Sequence, residues 1–349
     1  RVLTWSKDHT VRMWEVSTGQ PVGAPMRHES DVVGAQLFAN EQRVLTWSKD
    51  HTVRMWEVST GQPVGAPMRH ESDVVGAQLF ANEQRVLTWS KDHTVRMWEV
   101  STGRSVGKPM RHKSDVVGAQ LFANEQRVLT WSWDGTARVW EVSTGQSVGE
   151  PMYHERVVLG AQLFSDEQQV LTWSADNTAR VWEVNTGKAV GEPMRHENRV
   201  VGAQLFAQEQ RVLTWSEDKT ARVWDTTTGK PLSATMDHDS GVTGAKIFAD
   251  EAQVLAWSRE SVRVWRLPSI NHQLSYLNEI QQTLQNRYYI NSADEAIFLT
   301  ENQLSQCQTL YQPYQACNES DSNICKLKRR WWSIQKFFGQ LPTLADCIQ

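Results

Sequence analysis

Cysteine is nearly missing from this sequence: only Cys307, Cys317, Cys325 and Cys347 are present, and all four fall near the C-terminal end. The larger part of the chain therefore folds without disulfides. The four spacings lack the paired Cys-x-x-Cys pattern of a zinc site. Two bridges among them pair in three ways, and free thiols in a cytoplasmic protein are the simpler reading. An excess of one charge is missing too. The 36 Lys and Arg against 40 Asp and Glu leave a net charge of −4, which exerts no long-range pull toward nucleic acid or an anionic membrane. No apolar run reaches the roughly 18 residues of a membrane span. No Gly-rich phosphate loop and no metalloprotease pattern occurs, so the expected inventory holds neither cofactor nor metal. With 40% hydrophobic and 22% charged residues, the composition is that of a globular chain rather than a disordered one.

What is present in quantity is tryptophan, and it is periodic. Trp5, Trp47, Trp89, Trp131, Trp173, Trp215 and Trp257 stand at a constant interval of 42. Each sits in a version of Arg43-Val-Leu-Thr-Trp-Ser-Lys-Asp-His-Thr-Val-Arg-Met-Trp56. Residues 1–42 and 43–84 are identical, and 85–126 differ only at Arg104, Ser105, Lys108 and Lys113. A fixed period of this length marks one supersecondary unit stacked on itself. Identity this close implies recent duplication and invites swapping between sheets.

Within one unit, residues 32–38 are short, apolar and Gly-bearing, which reads as a strand buried on both faces. After a polar turn at 39–42, residues 43–48 alternate, with Val44, Thr46 and Ser48 on one side and Leu45 and Trp47 on the other. Lys49-Asp50-His51 reverses the chain. Later copies read Asp134-Gly135 and Asp176-Asn177 there, and Gly or Asn after Asp tolerates the positive φ of a tight hairpin. Residues 52–58 form a third strand. Residues 63–68 form a weak fourth whose Pro63 and Pro67 suit an outer edge. Gly34, Ala35 and their copies supply room for the Trp of the second strand, since a packed interior leaves no slack for an unmatched indole. A four-stranded sheet that is apolar on both faces is stable only when stacked radially, which makes a β-propeller.

These residues resemble the WD-repeat propeller family, and bacterial members most. The family unit carries His before the innermost strand, Ser or Thr on the second, Asp in the next turn and Trp on the third. The matching sets are His28, Thr46, Asp50, Trp56; His70, Thr88, Asp92, Trp98; His112, Thr130, Asp134, Trp140; His154, Thr172, Asp176, Trp182; and His196, Thr214, Asp218, Trp224. The dipeptide that names the family reads Trp-Glu in five copies and Trp-Asp only at Trp224-Asp225. The resemblance implies an all-β, seven-bladed β-propeller of four-stranded blades over residues 1–267, with no catalytic residues. It also implies a network in which Asp50 accepts from His28, the ring passes a hydrogen bond to Thr46, and Thr46 reaches Trp56. A Ser-His-Asp hydrolase is the competing reading of such residues. A catalytic set occurs once, however, and this one recurs at fixed spacing. The same repetition argues against a metal between His28 and Asp50.

The seventh copy has decayed: Ala256 replaces Thr, the turn at 258–261 has lost a residue and its Asp, and Thr235 replaces the edge proline before it. The chain enters mid-repeat at Arg1 and is expected to be a piece of a longer one. Its first blade lacks an innermost strand, to be supplied from upstream or from a segment after Trp265. Residues 268–349 read as a small α+β extension. They comprise a helix with Leu274, Leu277, Ile280 and Leu284 on one face, a hairpin of 288–290 with 296–299, and a helix opening at Thr300. A basic aromatic stretch at 326–338 follows. Packing of Trp331, Ile334 and Phe338 on the propeller is its simplest role, ahead of partner docking, a membrane surface or nucleic acid.

The expected function is a non-catalytic scaffold that binds a protein or peptide on the propeller rim. The rim positions before each turn Asp are Lys7, Lys49, Lys91, Trp133, Ala175 and Glu217. Beside them, three residues past each His, lie Asp31, Asp73, Asp115, Val157, Arg199 and Gly241. Trp133 and Arg199 are of the residue types favoured at binding hot spots. The alternative is the sensor half of a bacterial signalling or defence enzyme. Its catalytic domain, a nucleotide-hydrolysing switch, caspase-like protease, kinase or TIR-type effector, would lie upstream of Arg1.

Overall fold

The computed structural model describes residues 1–38, 40–248, 251 and 253–267, with the strands Tyr288–Ile290 and Ala296–Phe298. It divides into two compact units, Arg1–Trp265 and Arg266–Gln349. Among the described residues every regular element is a β-strand. The first sheet holds β1 (Val2–Trp5), β2 (Thr10–Trp14) and β3 (Pro21–Arg27). The second holds β4 (Val32–Leu37), β5 (Arg43–Ser48), β6 (Thr52–Glu57) and β7 (Pro63–Arg69), side by side in that order and antiparallel. The next four sheets repeat this pattern. The seventh ends after three strands, Val242–Phe248, Gln253–Ser258 and Val262–Arg266.

Seven sheets are present, as expected, and five of them have four strands; the first has no inner strand, also as expected, while the seventh departs from the four-stranded expectation in having no outer strand among the described residues. Neighbouring sheets meet through their inner halves: β1 touches β4, β5 touches the inner strand Val74–Leu79 of the third sheet, and so on to the seventh. Among the described residues no comparable contact joins the seventh sheet to the first, and the series of described sheets is not closed.

Each internal sheet buries both faces because its strands alternate apolar residues in both directions. Leu45, Met55 and Met68 of the second sheet pack against Leu79, Val86 and Trp98 of the third. On the reverse face, Val44, Trp56 and Val58 pack against Val11, Met13 and Met26 of the first. The tryptophan of the second strand fits because a glycine of the inner strand lies opposite it. Gly160 pairs with Trp173, and a Cβ built on Gly160 would stand 2.1 Å from the indole. The same close approach recurs from Gly34 to Gly244.

Turn and edge geometry follow residue chemistry equally closely. His9, His51 and His93 adopt φ near +68°, the conformation that Gly135 and Asn177 take in later copies. The outer strand, expected to be weak, runs a full seven residues at Pro63–Arg69, with a register shift opposite Val53 and Met55. In the fifth sheet the same outer-strand bulge uses Gly191 at φ +70°. The sixth sheet carries Ser233 there, and its outer strand shrinks to Met236–Asp237 plus a bridge between Trp224 and Pro231. A side chain disfavours the left-handed region that the bulge needs.

Unread in the sequence was a clamp between sheets. Glu209 and Glu251 sit at φ +63° in turns between inner and second strands. Their carboxylates accept the N–H groups of Ser165 and Ala207 in the preceding sheets, at 2.8 and 2.9 Å.

In the second unit Tyr288–Ile290 pairs antiparallel with Ala296–Phe298, the hairpin expected there. The two expected helices and the basic aromatic stretch lie outside the described residues.

Gly160→Ala should lower stability by about 1–3 kcal/mol through overpacking against Trp173. A urea midpoint equal to that of the parent chain would show that the indole has room to yield.

Candidate functional site

The residues singled out by type and spacing do converge. His28 Nδ1 lies 2.8 Å from Asp50 Oδ2 and its Nε2 lies 2.6 Å from Thr46 Oγ1. Trp56 Nε1 donates to the same hydroxyl at 2.7 Å, and the indole meets the imidazole edge to face. The sets built on His70, His112, His154 and His196 reproduce this, with Nδ1–carboxylate distances of 2.8, 3.1, 2.8 and 2.7 Å. The carboxylate is held from further sides. Asp50 Oδ2 accepts the Glu29 N–H, while Oδ1 accepts the N–H and hydroxyl of Thr52.

The direction of donation is set by what each group can do. A carboxylate only accepts, so Nδ1 carries the proton, and a neutral ring then accepts at Nε2 from the Thr46 hydroxyl. Were Nε2 also protonated, that hydroxyl would be left with the Arg54 carbonyl at 3.4 Å. The relay thus runs from indole to hydroxyl to imidazole to carboxylate. At the ring–hydroxyl step this reverses the direction expected from sequence.

All five histidine side chains are fully buried and both of their nitrogens are engaged. Burial by itself would raise the Asp50 carboxyl. Hydrogen bonds from His28, Thr52 and the Glu29 N–H outweigh it and hold that group far below the usual carboxylate range. Asp92, Asp134, Asp176 and Asp218 are lowered by the same balance. Burial lowers His196 more than Asp218 raises it, which keeps that ring neutral.

The seventh sheet shows the relay with its centre removed. Ala256 is fully buried in the place of Thr, and both His238 Nε2 and Trp265 Nε1 are buried without a partner. His238 Nδ1 reaches only Ser261 Oγ, at 3.4 Å. Arg263 compensates in part, donating to the Asp237 carbonyl and the Asp239 carboxylate.

The rim residues lie immediately beyond these relays. The two rim positions of each sheet are neighbours: the N–H of Lys49, Lys91, Trp133, Ala175 and Glu217 donates to the carbonyl of Asp31, Asp73, Asp115, Val157 and Arg199 respectively. Lys49 and Lys91 are spent on ion pairs with Asp31 and Asp73 at 2.9 Å. His51 of one sheet also approaches Asp73 of the next, at 3.8 Å. Lys7 has no such carboxylate partner from its own sheet among the described residues and is exposed. Trp133 is 61% exposed. Arg199 pairs with Glu217 beside a cleft of about 850 Å³. Leu159, Val201 and Thr243 of three successive inner strands line that cleft with Arg259, Glu260 and Ser240, whose hydroxyl is buried without a partner. Arg259 and Ser240 are contributions that the repeat pattern did not single out. Among the described residues no group of three His, Cys, Asp or Glu is placed to hold a metal.

Ala256→Thr should seat a hydroxyl between His238 and Trp265 and gain about 1–3 kcal/mol, the cost of the orphaned groups. An unchanged or lower urea midpoint would show that the lost turn Asp, not Thr, limits the seventh sheet. A second expectation concerns acid. The five aspartates have folded pKa values below their unfolded value of about 3.9, so their contribution is complete above that pH and is withdrawn as pH falls below it. Stability should decline below pH ~4, and less steeply in Asp176→Asn; parallel declines in the two proteins would locate acid sensitivity elsewhere.

No protein-family model matches the chain, and no curated protein matches it. Solved structures do match. One is a computationally designed protein, Ika8, at 25% identity and a TM-score of 0.60, over 76% of this chain and 80% of its own. That likeness concerns the fold.

Proposed function

We propose that residues 1–267 are a WD-repeat β-propeller unit of seven blades, acting as a non-catalytic scaffold that binds a protein or peptide on its rim. The observation that carries this reading is the cleft of about 850 Å³ at the rim of the fifth to seventh sheets. Its walls combine apolar inner-strand residues with Arg199, Glu217, Arg259 and Glu260. A concave lining that mixes apolar and charged side chains suits an extended peptide held by its main chain and one or two side chains. The division of labour supports the same reading. Relay positions repeat almost without change, whereas the rim positions above them run from Lys–Asp pairs to Trp133 and to the Arg199–Glu217 pair. A catalytic use of the relay has no physical support, because a buried ring with both nitrogens engaged presents no free base to a substrate.

The test is to pan a displayed peptide library on the full chain and measure the enriched peptides by titration. Affinity should drop roughly tenfold or more in Arg199→Ala and Arg259→Ala, each change removing a charged group worth over 1.4 kcal/mol, with the melting temperature unchanged. Failure to enrich any peptide rejects the scaffold reading. Equal affinity for both variants moves the site away from the cleft, and a selective loss in Trp133→Ala would place it there.

A further inference from the structure

From the second sheet to the sixth, the residue before each turn Asp stands beside the residue three places past each His. The pairs are Lys49 with Asp31, Lys91 with Asp73, Trp133 with Asp115, Ala175 with Val157 and Glu217 with Arg199. Four of these five pairs are balanced in charge. Lys49 and Lys91 hold Asp31 and Asp73 at 2.9 Å, Arg199 holds Glu217, and Ala175 and Val157 are both uncharged. Only Asp115 is matched with a residue that cannot neutralise it.

The frame around Asp115 is otherwise that of its copies. The Trp133 N–H donates to the Asp115 carbonyl at 2.9 Å, as the Lys91 N–H does to that of Asp73 at 3.0 Å. Ser132 Oγ donates to the Ser114 and Asp115 carbonyls at 3.2 and 2.9 Å, as Ser48 does to those of Ser30 and Asp31 at 3.1 and 2.9 Å. His93 of the preceding sheet approaches Asp115 Oδ1 at 3.5 Å, as His51 approaches Asp73 Oδ1 at 3.8 Å. The difference lies at Oδ2. In Asp31 and Asp73 that oxygen accepts from a lysine Nζ at 2.9 Å, whereas Asp115 Oδ2 has no partner among the described residues. The Asp115 side chain is correspondingly more open, 34% exposed against 25% for Asp73. Lys113, two residues away, is exposed and makes no ion pair with it among the described residues. The carboxylate is not needed by the frame itself. In the fifth sheet Ser174 makes the same two hydrogen bonds with Val157 in the acid's place.

We infer that Asp115 and Trp133 form a receptor for one lysine side chain supplied by a partner polypeptide. The ammonium donates to Asp115 Oδ2, in the place that Lys49 Nζ and Lys91 Nζ take on Asp31 and Asp73. The sister sheets thus define both the ligand and its pose, an ammonium on a flexible stem arriving from the solvent side. An exposed ion pair contributes little by itself. Trp133 starts from the same backbone position as those lysines and is 61% exposed. It offers the incoming side chain an aromatic face, which covers the methylene stem and attracts the charge. This rests on the scaffold reading only in that a polypeptide supplies the lysine; the site belongs to the fourth sheet and does not depend on the cleft.

The probe is the peptide acetyl-Gly-Gly-Lys-Gly-Gly-amide, titrated into the full chain and followed by the NMR signals of the Asp115 N–H and the Trp133 indole N–H. Both should move along one saturable curve. The same peptide with Nε-acetyl-lysine keeps the stem, loses the charge and should bind roughly tenfold more weakly. Asp115→Asn should remove the preference for free lysine. Trp133→Ala, read at the Asp115 N–H, should weaken binding roughly threefold or more. Trp133→Lys supplies the ammonium from within, as in the sister sheets, and should abolish binding at Asp115. Circular dichroism reports whether each variant keeps its sheets. No saturable shift overturns the inference, as does equal binding of the two peptides or undiminished binding to Trp133→Lys. Shifts confined to Gly241 and Thr243 would assign the peptide to the cleft and overturn it as well. A null result here, with selected peptides still held at the cleft, strikes this inference and leaves the scaffold reading standing.

Discussion

Each sheet in this chain is apolar on both faces, and that single constraint governs everything else. Burying a valine or leucine side chain is worth about 1.5–3 kcal/mol, and every internal sheet buries several on either side. A lone sheet of this kind would present two greasy surfaces to water, so stability resides in the contacts between sheets. The interface from Leu45 and Met55 to Val86 and Trp98 is rebuilt with nearly the same residues at each step. Among the described residues, Val2 and Val16 in the first sheet, and Val262 and Val264 in the last, are exposed. Their equivalents Val44, Val58, Val53 and Met55 are buried.

The relay of Trp, Thr, His and Asp has a different task. In the second to sixth sheets it joins two strands, the turn between them and the connection before the inner strand through side chains that are all satisfied. Networks of this sort specify one arrangement because a partly satisfied version costs more than an apolar one. The seventh sheet illustrates the cost. Loss of one hydroxyl at Ala256 strands both the imidazole and the indole that it once connected. With that end of each blade held by the relay, the turn residues just outside it are free to vary. There the chain departs from repetition, toward Trp133, Arg199, Glu217 and Arg259. A rigid frame carrying variable turns is the usual arrangement for recognition.

Much of this was legible before any coordinates, and for a physical reason. Strand alternation, the Gly opposite Trp and the spacing of the relay are local or periodic, so a repeat of 42 exposes them by comparison of one copy with the next. His51 at positive φ could be read from Gly135 in a sister copy. Other features depend on parts that touch only after folding. Glu209 and Ser165 are 44 residues apart and meet across two sheets. The cleft draws Leu159, Arg199 and Arg259 from three sheets. The strength of the outer strand depends on a glycine bulge that looks ordinary in sequence, until Ser233 replaces it and the strand contracts.

The sequence by itself determined that this is a stack of antiparallel sheets with a conserved internal design, because a period, an alternation and a spacing are properties of the chain alone. Only the tertiary structure decided which way protons are donated along each relay, and which rim side chains are consumed in ion pairs and which stay open. Those outcomes turn on which acceptor a hydroxyl finds nearer and on what lies against a surface. Such distances come into being only when the sheets are assembled.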